Sequence, residues 1–161
     1  MALTKVIGSG IGTVTNQFGD ANMSAGSVLQ VVYQNTSTEV SSSSDTFADT
    51  GLTAAITPIS TSSKILITFT VFSFNGNNAG YGDLKIVRGS TDLTTHGFNN
   101  YAGSSTVMSA STYQHLDSPS TTSATTYKIQ YNSRGAGTVY LHYDDGNGDS
   151  VSTMTLTEIA G

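Results

Sequence analysis

The chain has no cysteine, two prolines among 161 residues and only six lysines and arginines. Without cysteine there are no disulfides and no thiolate metal sites, so the fold has to rest on packing and hydrogen bonds. The basic residues Lys5, Lys64, Lys85, Arg88, Lys128 and Arg134 are scattered through a chain of formal net charge −5. They form no stripe that could neutralise a phosphate backbone, which sets nucleic acid aside as a partner. No segment approaches the roughly 20 apolar residues that cross a bilayer. The opening MALTKVIGSGIGTV lacks the continuous apolar stretch of a secretory signal, so no membrane partner is expected and release by lysis or another route fits better. Nowhere does a 3.6-residue apolar period persist long enough to predict an amphipathic helix.

Hydroxyls take the place of charge. Charged residues are 11% of the chain, against 23 serines and 25 threonines. A weakly charged, hydroxylated surface stays soluble without ion pairs that salt would screen, which suits an extracellular or particle-borne protein better than a cytoplasmic enzyme. The size is that of one compact domain with a real core.

The densest apolar pattern is Gly51 to Phe74, GLTAAITPISTSSKILITFTVFSF. Leu52, Ala54 and Ile56 alternate with smaller or polar residues, Pro58 and the serine-threonine run break the ladder, and Ile65, Ile67, Phe69 and Val71 resume it. The prediction is strand, corner, strand. Because Leu66, Phe72 and Phe74 make the opposite face apolar as well, that face should be covered by a loop or by another subunit, and these three are the candidate subunit contacts.

Upstream, Met1 to Gly26 mixes Leu3, Val6, Ile7, Ile11, Val14 and Phe18 with glycines that weaken any regular element. This predicts an extended arm over residues 1–26 that orders against something else, ahead of a sandwich domain over 27–161; an edge strand or a disordered leader is the other reading. GSGIG lacks the spacing of a dinucleotide loop. Further alternation over Val28–Tyr33, Asp83–Arg88, Leu93–Phe98, Val107–Leu116, Tyr127–Tyr131, Val139–Tyr143 and Val151–Ile159 predicts strands with turns at roughly ten-residue intervals. Asn75-Gly76 is expected to turn a hairpin into the Asp83 strand, and Asp144 to Ser150 to close another. The fold class is therefore all-β, an antiparallel β-sandwich of jelly-roll type with an extended N-terminal arm.

Chemistry-bearing constellations are sparse. His96, His115 and His142 lack metal-ligand spacing within the chain, no GxSxG is present, and no cofactor or catalysis is expected. Asp145, Asn147 and Asp149 place oxygens at alternating positions as calcium prefers, but Ser150 and Leu156 stand where an EF-hand needs glycine and glutamate, so this loop is a weak metal candidate.

GSVLQVV near the start of the domain, TGL…ITP…SSKILI in its centre and the ending TLTEIAG, together with MALTKVIGSG, resemble a family of small virion proteins and tail-fibre tips from tailed bacteriophages, including cyanophages. The resemblance implies a trimeric β-sandwich on the virion surface. Without a shaft or coiled-coil repeat, it points to a short capsid decoration or cement protein bound to the major capsid protein. The alternative is a tail-fibre or spike tip, docked on a tail or baseplate protein and binding a host surface polymer.

Overall fold

The computed structural model describes residues 23–75, 81–99, 107–135, 137–143 and 150–161. Ten strands and no helix occur among them: β1 (Val28–Thr36), β2 (Val40–Ser42), β3 (Ala48–Ile56), β4 (Lys64–Asn75), β5 (Tyr81–Arg88), β6 (Thr91–Asn99), β7 (Val107–Asp117), β8 (Thr125–Tyr131), β9 (Val139–Leu141) and β10 (Ser152–Ile159). All their pairings are antiparallel.

The first sheet runs β1-β10-β4-β9-β2, with β7 on the other edge of β4; the second runs β3-β8-β5-β6. β9 and β10 lie along the same edge of β4, Leu141 opposite Ser73 and Thr153 opposite Thr70, so they are two segments of one row. β1 and β2 follow them in the same way. Each sheet is thus four rows wide. The pairs β5–β6, β4–β7, β3–β8 and the row β1–β2 with β10–β9 nest inside one another. The chain is in effect one long hairpin whose successive strand pairs alternate between the two sheets.

The two sheets meet over a core set by period-two alternation. Ile65, Ile67, Phe69 and Val71 of β4 are at most 1% exposed and pack with Met154 and Leu156 of β10. Against them stand Leu52, Ala54 and Ile56 of β3, Leu84 and Ile86 of β5, and Tyr127, Ile129 and Tyr131 of β8. Each fully buried large side chain contributes about 1.5–3 kcal/mol of transfer free energy.

Two turn expectations are corrected. Asn75 ends a strand of the first sheet and Tyr81 begins one of the second, so the two strands flanking Asn75-Gly76 do not pair. Glycine and asparagine there license a reversal of direction, but they do not fix the sheet in which the next strand lands. Likewise β9 and β10 run in line instead of forming a hairpin. The local hairpin is β5–β6, where Arg88 faces Thr91 across Gly89, whose φ of +57° suits glycine.

Candidate functional site

The polar groups sealed inside the sandwich are held as struts. The strand predicted over Val139–Tyr143 stops at Leu141, because His142 takes a left-handed φ of 56°. That turn drives the fully buried ring between the sheets. Its Nε2–H donates to the Thr50 carbonyl at 2.8 Å and its Nδ1 accepts from the Ser152 hydroxyl at 2.5 Å. Ser152 Oγ in turn accepts the Phe72 N–H, and Thr50 Oγ1 donates to the Ile129 carbonyl. This chain of hydrogen bonds runs from β4 through β10 and the end of β9 to β3 and β8. Burial lowers the His142 pKa against the opposing pull of the Thr50 carbonyl, so the ring is neutral.

A second strut holds the corner at Pro58. Glu158 of β10 is buried; its Oε1 accepts the Ile59 N–H at 2.7 Å and its Oε2 the Gln30 side-chain amide at 2.5 Å. Gln30 also donates to the Thr57 carbonyl. Burial pushes the Glu158 carboxyl up. The neighbouring Ser63 hydroxyl, the Gln30 amide and the N–H groups of Ile59 and Ser60 outweigh it and hold the group below the usual carboxylate range. A group depressed in the folded state stabilises above its unfolded pKa and loses that contribution as pH falls through its folded value. Glu158→Gln is therefore expected to cost about 2 kcal/mol at neutral pH, because its NH₂ confronts donors. It should also flatten the loss of stability below about pH 4.5, as urea titrations at neutral and acid pH would measure.

Residues Leu66, Phe72 and Phe74 sit together on the outer face of the first sheet, partly exposed. Across the ladders they lie beside Leu116, Ala110 and Met108 of β7. Thr68 and Thr70 fill the middle, flanked by Gln114 and Thr112 on one side and by Thr155 and Thr153 on the other. Thr70 and Thr112 hydroxyls are 2.8 Å apart, and Gln114 donates to Thr68 at 3.2 Å. Val31 and Tyr33 complete the face on β1. At one end Phe74 stacks on Tyr143 at 3.9 Å, with Tyr140 edge-on to both, and an open hollow lies among Phe72, Met108, Ala110 and Val151.

The other expected sites fall differently. The anchoring residues Leu3, Val6, Ile7, Ile11, Val14 and Phe18 and the loop Asp145, Asn147 and Asp149 lie outside the described residues. Among the described residues no group of three His, Cys, Asp or Glu could hold a metal ion. His96 stacks on Tyr113 at 4.5 Å, and burial, then the nearby His115, lowers its pKa. Sequence reasoning missed His142, Glu158 and the buried Asp117, which takes two hydrogen bonds from Arg88 and one from Tyr127. The partners Thr50 of His142 and Ile59 and Gln30 of Glu158 are 92, 99 and 128 positions away in the chain, and residue type alone gave no signal.

No family model and no curated protein match the chain. A solved chain described as "Structure of infectious bursal disease virus Gx strain" is similar at a TM-score of 0.43 and 13% identity, over 84% of this chain and 39% of that one. At that level the likeness carries no function across.

Proposed function

We propose that this is a non-catalytic virion structural protein, a jelly-roll module that decorates and cements a phage capsid, bound to the major capsid protein through the arm Met1 to Gly26. The nested strand order supports the jelly-roll reading: eight rows in two sheets, as two interlocked Greek keys arrange them. The observation that carries the role is the polarity of the sandwich. Gly26 N–H donates to the Ala160 carbonyl, so the described chain begins beside the Pro58 corner, whereas β4 ends and β7 begins at the opposite end, where Asn75 faces Val107. Apolar residues spaced by glycine can add as an extended strand to a neighbouring sheet edge, their alternate side chains filling its pockets. Several arms in one assembly would raise avidity by orders of magnitude through effective concentration.

A second reading, a short tail-spike tip binding a host polymer, is favoured by the aromatic group Phe74, Tyr140 and Tyr143 at the end away from the arm. Deleting Met1 to Ala25 is expected to leave a folded, soluble protein that no longer binds stripped capsids. Particles lacking the full-length protein should lose resistance to heat and osmotic shock. Decoration by the truncated protein would place the anchor elsewhere, and full-length protein found only on tails would overturn the cement reading in favour of the tip.

A further inference from the structure

We propose that the open edge of β7 pairs with the same edge of a second copy, antiparallel about a two-fold axis at Thr112, so that the first sheets of the two copies join into one. The inference stands on the backbone register and does not depend on the virion reading.

That register shows which groups β7 offers. Phe72 of β4 donates its N–H to the Ser152 hydroxyl and accepts the His142 N–H, so the even residues of β4 turn their backbone groups toward β9 and β10 and the odd ones toward β7. Odd residues of β4 stand opposite odd residues of β7, from Ile65 opposite Asp117 to Asn75 opposite Val107. The N–H and C=O groups of Met108, Ala110, Thr112, Gln114 and Leu116 therefore point away from β4, and no described strand takes them. A row of unpaired backbone groups is a template for another strand, and proteins blunt such edges with charge, proline, bulges or a cover. The other long edges are blunted here. On β6 the Tyr113 hydroxyl donates to the Gly97 carbonyl at 2.7 Å. β3 is bulged between Asp49 and Thr53, where Gly51 has a φ of +89°, and β1 is bulged between Val28 and Gln30. β7 keeps an unbroken register and, from Val107 to Leu116, carries no charge and no proline.

Charge and sequence symmetry select the occupant. The chain carries a net −5, so two copies repel each other unless they meet where neither is charged, and this edge meets that condition. Met108 and Leu116, each 49% exposed, lie at equal distances on either side of Thr112. An antiparallel pair centred on Thr112 sets Met108 opposite the partner subunit's Leu116, twice, and Ala110 opposite the partner subunit's Gln114. Side chains directly opposite stand on one face and touch, so each copy covers the other's exposed apolar ends. In that register the outward N–H groups of one row meet the outward carbonyls of the other, and the two threonine hydroxyls at the axis can bond to each other. The two-fold closes the assembly at two copies, because neither keeps a free β7 edge.

Light scattering of the full chain should give twice the chain mass of 16.7 kDa. In residue-resolved hydrogen exchange of the unmodified chain, the amides of Met108, Ala110, Thr112, Gln114 and Leu116 should slow severalfold from dilute to concentrated protein, while those of Ser111, Tyr113 and His115, bonded to β4, should be protected at both concentrations. Thr112→Pro removes an outward N–H and none bonded to β4, so it should keep the far-UV spectrum and give monomers. Thr112→Lys, which sets like charges opposite each other at the axis, should do the same. Thr155→Arg, on the face but away from the edge, should pair as the parent does, and so should the chain lacking Met1 to Ala25. A parent chain of one or three masses at its highest soluble concentration, even-numbered amides no slower when concentrated, Thr112→Lys that pairs normally, Thr155→Arg that is monomeric, or pairing lost with the arm would each overturn the proposal.

Discussion

Replacing His142 with alanine is expected to destabilise the protein by about 3 kcal/mol or more, out of the roughly 5–15 kcal/mol typical of a folded domain. The loss has three sources. A ring-sized void opens between the sheets. The Thr50 carbonyl loses its donor and the Ser152 hydroxyl its acceptor, both in places water does not reach. Alanine also inherits a left-handed backbone that suits it poorly. The pH dependence separates this strut from ordinary packing. His142 is neutral in the folded state, with its pKa below the unfolded value near 6.5. Between the two values the unfolded chain binds more protons, so the contribution is intact above about pH 6.5 and declines as pH falls toward the folded pKa. His96, depressed by burial against Tyr113, adds in the same direction. Urea midpoints of the parent chain should fall from about pH 7.5 to about pH 5, and those of His142→Ala should start lower and change less. A parent midpoint that stays flat across that window would contradict the buried neutral ring.

Gly82→Ala should be nearly as costly, about 3 kcal/mol, and for a different reason. A Cβ on Gly82 would stand 2.1 Å from the Asn132 carbonyl oxygen and 3.1 Å from the Phe98 ring. Neither can move aside cheaply. Asn132 donates its N–H to the Asp83 carbonyl, accepts the Asp83 N–H on its side-chain oxygen at 2.8 Å, and donates its amide to the Asp45 carbonyl. Gly89→Ala makes the control, because its Cβ meets nothing within 4 Å and its cost is confined to the positive φ, about 1 kcal/mol. Thermal or urea unfolding of the two variants side by side should show the threefold difference; equal losses would mean the Asn132 clamp yields.

Gly82 also shows where the sequence was readable. It follows a run of Asn and Gly and reads as loop, yet it is a buried strand residue, because only a residue without a side chain fits beneath Asn132. By contrast the alternation of β4 and β8 was legible to the residue, since burial there follows from period two alone: Tyr127, Ile129 and Tyr131 face inward and Lys128 and Gln130 outward. Leu66, Phe72 and Phe74 stood out because they are apolar where the alternation calls for polar residues. The threonines between them did not, since a lone threonine on a strand is ordinary and the array exists only across three strands. Glu158 and His142 were invisible for the same reason: their partners Ile59 and Thr50 are 99 and 92 positions away.

The nesting of the strand pairs has a kinetic side. β5 and β6 can close through a two-residue turn, but each pair outside them must wait for a wider loop to close, and the outermost joins Val28 to Ile159, nearly at the other end of the chain. High contact order of this kind makes folding slow, because loop entropy is lost before the contacts that offset it form. The segment that finishes the sheet, β10, is also the last of the ten strands to be synthesised, and it is the strand that β1 and most of one edge of β4 wait for. Until it emerges, the most apolar strand of the molecule keeps an unpaired edge open to other nascent chains. Loss of β10 would therefore yield aggregate, not a slightly shorter protein.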